Sequence, residues 1–303
     1  MELDWQTALG ALAGGLFGAA IGGLPAFIFT GFLALVGVAL ALAGAEYNFL
    51  ANVTFGPTFG PHVTFCGGAA AAAYAARKGK LENGRDIATP LAGTADMAIL
   101  GVGAAFGLLG YVAVEVLSAP DWMSTNTDVI ALVVVLSNIL ARVMFGRTGV
   151  LGKMSDEARR RGRLRTGDDA SWVQWQEGWK ESLILGGGLG IMAAWLATNA
   201  GAIDDETARL IVPFGYALSA ISLIFLAFDR PVPVTHHMTL MGALGAVVFD
   251  NILWGAVFGI LAALVGELFS RLTLIHGDTH IDPPAWAIFP VTTIILVIDK
   301  LIT

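Results

Sequence analysis

The chain carries five histidines, and three of them fall in two short stretches that nearly repeat each other. His62 and Thr64 stand in HVTFCGGA. His237 and Thr239 stand in HMTLMGAL, with His236 directly before them. An imidazole titrates near neutral pH, and a hydroxyl both donates and accepts hydrogen bonds. At the start of a helix, beside unsatisfied backbone N–H groups, such a pair could hold a small polar or anionic solute. The plainer alternative is that the histidines plug irregular backbone and the threonines bond back to a carbonyl one turn earlier.

Two glutamates recur in the same way. Glu115 lies in FGLLGYVAVEVLS and Glu267 in FGILAALVGELFS. Ionisable groups inside apolar runs are costly and point to coupling or gating. Each is also three residues from a serine at the end of its run, close enough to reach the membrane interface. Asp96 and Asp250 precede these two runs, where an acid is favoured by the helix dipole; coupling or gating is the second reading. Asn138 and Thr292 occupy matching places in the last run of each half, as pore lining or as interhelical hydrogen bonds. His276 and His280 are four apart, with Asp278 and Asp282 beside them, a spacing that suits two metal ligands on one helix face. Gly277 and the Pro283–Pro284 pair favour a loop there, so these four are weak metal candidates, and no cofactor is expected.

The elements that must position these groups follow from composition. Hydrophobic residues make up 56% of the 303, charged residues 14%, and the mean hydropathy is +0.72. Soluble domains carry about 25% charged residues. Apolar runs of near bilayer-spanning length cover residues 8–23, 26–43, 98–117, 129–145, 182–197, 210–228, 252–269 and 286–298. A span takes roughly 20 apolar residues. The runs are continuous rather than alternating, which excludes a β-barrel. The fold class is an all-α polytopic membrane protein, expected in the cytoplasmic (plasma) membrane. The acidic start, MELDWQ, lacks the basic region of a cleaved signal peptide. The single cysteine, Cys66, cannot form a disulfide within the chain, and the net charge is −7.

The histidine and glutamate blocks keep their order at offsets of 175 and 152 residues. WQTALGALAGGLFG from Trp5 also aligns with WKESLILGGGLGIM from Trp179. This describes a tandem duplication with a first repeat over residues 1–146, a linker over 147–178 and a second repeat over 179–303. The linker holds Arg159, Arg160, Arg161, Arg163 and Arg165, which places it in the cytoplasm by the positive-inside rule. Its basic cluster reads as a topology signal and not as a nucleic-acid site. Trp172, Trp175 and Trp179 predict a short helix lying in the interface.

The segment from His62 to Ala76 spans about 22 Å as a helix, short of a hydrocarbon core of ~30 Å. Gly56, Pro57, Gly60 and Pro61 before it break any regular helix. If the His–Thr segments cross, each half has five spans and the halves are inverted; if they re-enter, each half has four and the halves are parallel. The inverted 5+5 form, with about ten segments, is preferred. It keeps Arg77, Lys78, Lys80 and Arg271 inside and the acidic stretch at residues 204–206 outside. This layout is similar to that of inverted-repeat carriers and urea-channel-like proteins, although no motif matches them residue by residue.

The expected function is a transporter or channel for a small polar or anionic solute, with histidine available for proton coupling. Its site would combine His62, Thr64, His236, His237 and Thr239. One rival is an intramembrane metal-dependent enzyme using His62, His236, His237, His276 and His280, although no HExxH or comparable motif occurs. Another is a structural subunit of a membrane complex, whose glycine-rich faces suit close packing or a homo-oligomer. The partners expected are the lipid bilayer and a small-molecule or ion substrate.

Overall fold

The computed structural model describes residues 4–200 and 205–302, all helix and connection, with no strand among them. Residues 1–3 of the acidic amino terminus and Asp204 of the acidic stretch lie outside the described residues, as do the side chains of Asp205 and Glu206.

The first half contributes α1 (Trp5–Ile21), α2 (Gly23–Leu42), α3 (Thr64–Arg77), α4 (Met97–Ser118), the short α5 (Asp121–Asn126) and α6 (Val129–Phe145). The linker holds α7 (Asp156–Arg161). The second half contributes α8 (Trp179–Ala200), α9 (Asp205–Ile211), α10 (Pro213–Ser222), α11 (His236–Val248), α12 (Leu253–Phe269) and α13 (Pro283–Ile302). Six helical stretches are long and apolar enough to cross a bilayer: Gly23–Leu42, Met97–Ser118, Trp179–Asn199, Ala208–Phe228, Leu253–Leu274 and Pro283–Ile302. Trp5–Ile21 and Val129–Phe145 are apolar but shorter. Large apolar side chains such as Leu9, Leu16, Phe29, Phe32 and Val36 are exposed along α1 and α2, which suits lipid contact and is costly in water. The chain is an integral membrane protein.

Both short helices begin where the sequence breaks. Backbone turns occupy the Gly56–Pro61 region and α3 starts at Thr64; residues 229–235 are irregular and α11 starts at His236. The two halves then pack alike. In the first, α1, α3 and α4 contact one another and α3 touches α2 and α6; in the second, α8, α11 and α12 do so and α11 touches α10 and α13.

A quartet of glycines lies at the centre of each trio. Gly15, Gly67, Gly103 and Gly107 bring α1, α3 and α4 backbone to backbone, and Gly190, Gly242, Gly255 and Gly259 do the same for α8, α11 and α12. A methyl group at any of the eight would collide with a neighbouring helix. The apolar surroundings give little hydrophobic drive in lipid, so van der Waals contact between bare backbones holds these helices together. The quartets also correct the alignment: Gly15 matches Gly190, so α1 and α8 share the offset of 175, one residue away from the Trp5–Trp179 pairing. Those tryptophans are 67% and 73% exposed and mark helix starts, not packing.

Across the halves, equivalent helices meet each other, α2 with α10 and α6 with α13. The α6–α13 pair runs antiparallel. Thr127, before α6, donates to the carbonyl of Phe289 at 3.0 Å and accepts from Thr293 at 2.7 Å, while Asn138, ten residues into α6, accepts from the backbone N–H of Asp282 at 3.2 Å.

The linker departs from expectation. Its helix is α7, and residues 171–178 form turns, so Trp172, Trp175 and Trp179 do not share a helical face there. Side chains replace helical hydrogen bonds. Glu177 accepts from the N–H groups of Trp172 and Val173 and from Ser171 Oγ, and Gln176 pairs with both backbone groups of Val234, just before α11. Arg271 donates to the carbonyls of Leu164 and Glu177.

Candidate functional site

A cavity of about 890 Å3 opens where α2, α3 and α6 face α10, α11 and α13. Its walls come from the two repeats in matched pairs. Pro61 and His236 stand at the offset of 175, as do Phe65 and Leu240. Asp128 and Asp282 stand at 154, followed by Ala131 with Ala285 and Val134 with Ile288.

Most of the wall is apolar; a few polar groups converge on it. Asp128 caps α6, with Oδ1 accepting from Ala131 N at 2.8 Å, and Asp282 caps α13, with Oδ2 accepting from Ala285 N at 2.8 Å. The other oxygen of Asp282 is 3.2 Å from His280 Nε2. Tyr216 and His236 line the same space, their rings 5.7 Å apart, with Phe27 packed on both. The Tyr216 hydroxyl and His236 Nδ1 are buried and find no partner among the described residues. Such groups cost free energy unless something satisfies them. Arg85 and Asp86 line the cavity near the start of α2, where Leu24 N–H donates to the Ile87 carbonyl, and Trp172 and Val173 of the linker line it too. Asn48, Ala51 and Arg209 line it near the other end of α2, about 30 Å away by helix rise.

Of the five residues expected to share one site, only His236 lines this cavity. His62 is buried with its ring against Gly60, and its carbonyl is the atom that a side chain at Gly110 would strike. His237 turns away to lie against Gly266, where an added Cβ would sit 3.0 Å from Nε2; Trp172 covers it at 6.4 Å between rings. The residue matching Gly266 in the first half is Val114, so the first copy lacks the glycine against which the His237 ring lies. Thr64 and Thr239 bond back to carbonyls of the preceding turn, at Gly60 and at Thr235 and His236. The start of α3 does not present bare N–H groups either, because Thr64, Cys66 and Gly67 donate to Gly60, Pro61 and Val63. Asn138 holds Asp282, and Thr292 lies 3.4 Å from Met241 Sδ; neither faces the cavity.

The acids divide between the halves. Glu115 is exposed, whereas Glu267 is 5% exposed and 3.5 Å from Arg271. Asp96 caps α4 through Ala98 N and pairs with Lys78. That hydrogen bond from the Lys78 ammonium holds the Asp96 carboxyl below its ordinary value and Lys78 above its own. Asp250 has left-handed backbone at φ 47° and is exposed; Asn251 caps α12 instead.

The four weak metal candidates are occupied by protein contacts. His276 Nε2 lies 3.0 Å from the Arg163 carbonyl, Asp278 accepts from Arg147 N and Thr148 Oγ1, and His280 faces Asp282. No three His, Cys, Asp or Glu side chains among the described residues converge as a metal site.

Three residues were not singled out by sequence. Asp128 and Tyr216 line the cavity. Arg142 is 1% exposed, and its guanidinium donates to the Thr279 hydroxyl and to carbonyls of Thr273, Thr279, Gly149 and Val150, locking α6 to the loop before α13 and to the linker. The 154-residue offset of Asn138 and Thr292 would have found the Asp128–Asp282 pair.

No curated protein and no solved structure matches the chain. The chain belongs to a family of unknown function, DUF7973, whose family model matches it twice, over residues 1–160 and again over 155–302, the same division into tandem halves.

Proposed function

We propose that the protein is a membrane transporter or channel whose solute path is the cavity between two inverted repeats. The observation that carries the reading is the matched lining. Equivalent residues of both halves face one space, as expected when a duplicated unit builds a single translocation site on its own pseudo-twofold axis.

The inverted arrangement of about ten segments is supported by the antiparallel course of α6 and α13. Equivalent helices related by an axis along the membrane normal would run parallel. In that topology α1, α3, α6 and α11 cross as short segments completed by irregular backbone, which is tolerated at membrane depth where protein or a cavity surrounds it. The linker then shares one side with Arg77, Lys78, Lys80, Arg230 and Arg271, a cytoplasmic assignment under the positive-inside rule.

The solute class shifts from the first expectation. The lining is largely apolar and its interior charges are carboxylates, which disfavours a small inorganic anion. Purified protein in liposomes loaded with a metabolite mixture provides the test. Selective loss of a solute relative to empty liposomes, abolished by Ala131→Phe combined with Ala285→Phe, is the expected result. Equal retention of every solute, or loss unaffected by filling the cavity, would contradict transport along this path.

A further inference from the structure

We propose that the cavity binds an organic cation: an apolar or aromatic body carrying an ammonium-type group, held between Asp128 and Asp282. The inference rests on the transport reading for the cavity's purpose but not for its chemistry.

Four groups of the cavity lining can accept hydrogen bonds. Asp128 and Asp282 each spend one carboxylate oxygen on capping a helix, at Ala131 and Ala285. The Tyr216 oxygen and His236 Nδ1, in residues 3% and 5% exposed, have no partner among the described residues. With the proton on Nε2, His236 Nδ1 is an acceptor. An anion would meet two carboxylates there and a single hydroxyl donor. A cation with N–H groups finds an acceptor at each of these four.

The charged groups at the ends do not reverse this. Arg85 directs Nη1 to the Ile275 carbonyl at 3.3 Å, and Arg209 is exposed near the opposite end of α2. Asp86 accepts from Ala88 N, Thr89 N and the Thr89 hydroxyl. Of the interior bases, His236 is buried among rings and His280 already faces Asp282 at 3.2 Å. Phe27, Phe65 and Tyr216 supply aromatic faces, which attract a desolvated cation and also cover its apolar body. A volume near 890 Å3 falls in the range of about 300–1,000 Å3 that suits drug-sized ligands.

The experiment uses three probes of one skeleton and three charges: phenylbutylamine, phenylbutanol and phenylbutyrate. Binding to the full chain in detergent is read by calorimetry and thermal shift. The amine is expected to bind most tightly and the carboxylate most weakly. Asp128→Asn and Asp282→Asn, which keep the helix caps, should each weaken the amine by about tenfold and leave the alcohol unchanged. Phenylbutyrate binding as tightly as the amine, no binding by any probe, or amine affinity unmoved by both substitutions would overturn the proposal. If the alcohol and the carboxylate bind and Ala131→Phe with Ala285→Phe removes both, the cavity is a binding site and only its charge preference is wrong. Solute loss from liposomes that persists while the amine fails to bind leaves transport standing without the cation.

Discussion

The two halves agree where backbones touch and at the capping aspartates of α6 and α13, and differ at other places where side chains meet solvent, linker or cavity. The glycine quartets at Gly15 and Gly190 are the same construction in both. Around the short helices the copies separate. Pro61 faces the cavity where His236 does, Glu115 is exposed where Glu267 is buried, and Arg142 has the apolar Leu296 as its counterpart. Close packing of helices leaves no room for drift, because any added Cβ strikes a backbone. A cavity wall or a surface tolerates change, so function can become asymmetric on a symmetric frame.

The largest effect should come from attacking what the halves share. Gly15→Leu and Gly190→Leu should each cost at least the ~1–3 kcal/mol typical of overpacking, since the obstacle is backbone. Both should reduce the yield of monodisperse protein on size-exclusion chromatography, while Gly101→Leu and Gly188→Leu, which have open space beside them, should not. A tolerated leucine in one quartet would break the equivalence.

Next comes the part only the first half has. Arg142→Ala leaves four carbonyls and a hydroxyl without their donor. Unsatisfied buried groups cost about 1–3 kcal/mol each, and water entering the gap offsets part of this. A clear fall in melting temperature is expected, together with faster amide exchange at residues 273–279. Leu296→Ala should not affect that loop.

The glutamates give a smaller contrast. Glu267→Gln should cost about 1.5 kcal/mol through the weakened contact with Arg271, and Glu115→Gln should leave the melting temperature unchanged. Equal responses would remove the asymmetry.

The smallest effect concerns pH. Lys78 lowers the carboxyl of Asp96 and is itself raised. The pair therefore contributes at neutral pH. It fades as pH falls through the depressed Asp96 value, and again as pH rises through the elevated Lys78 value. Amide exchange in the first turn of α4, corrected for intrinsic rates, should speed up below about pH 4. The first turn of α12, beside exposed Asp250, should not respond.

The sequence made the membrane class and the duplication legible, because apolar runs and the paired His–Thr and Glu blocks survive in one dimension. It also located the breaks before α3 and α11, since proline and glycine act locally. The site was less legible. Conspicuous His62 and His237 turn into packing contacts, one ring against Gly60 and the other against Gly266, a neighbour distant in sequence. Asp282 drew notice only beside the histidines and Asp128 not at all; both cap helices, and their shared place in the cavity wall appears only when the halves close on each other. The linker's path, held by Gln176 and Glu177 on backbone groups, leaves no periodic signal.

The central claim is that two inverted copies enclose the cavity. In a Cys66→Ala background, cysteines at Ala45 and Arg230 mark exposed points just beyond equivalent helical stretches, α2 and the stretch Ala208–Phe228. A maleimide that cannot cross the bilayer, applied to one face of sealed vesicles of known orientation, should label one position, and the other only after the vesicles are opened. Labelling of both from the same face would mean parallel halves and contradict the account.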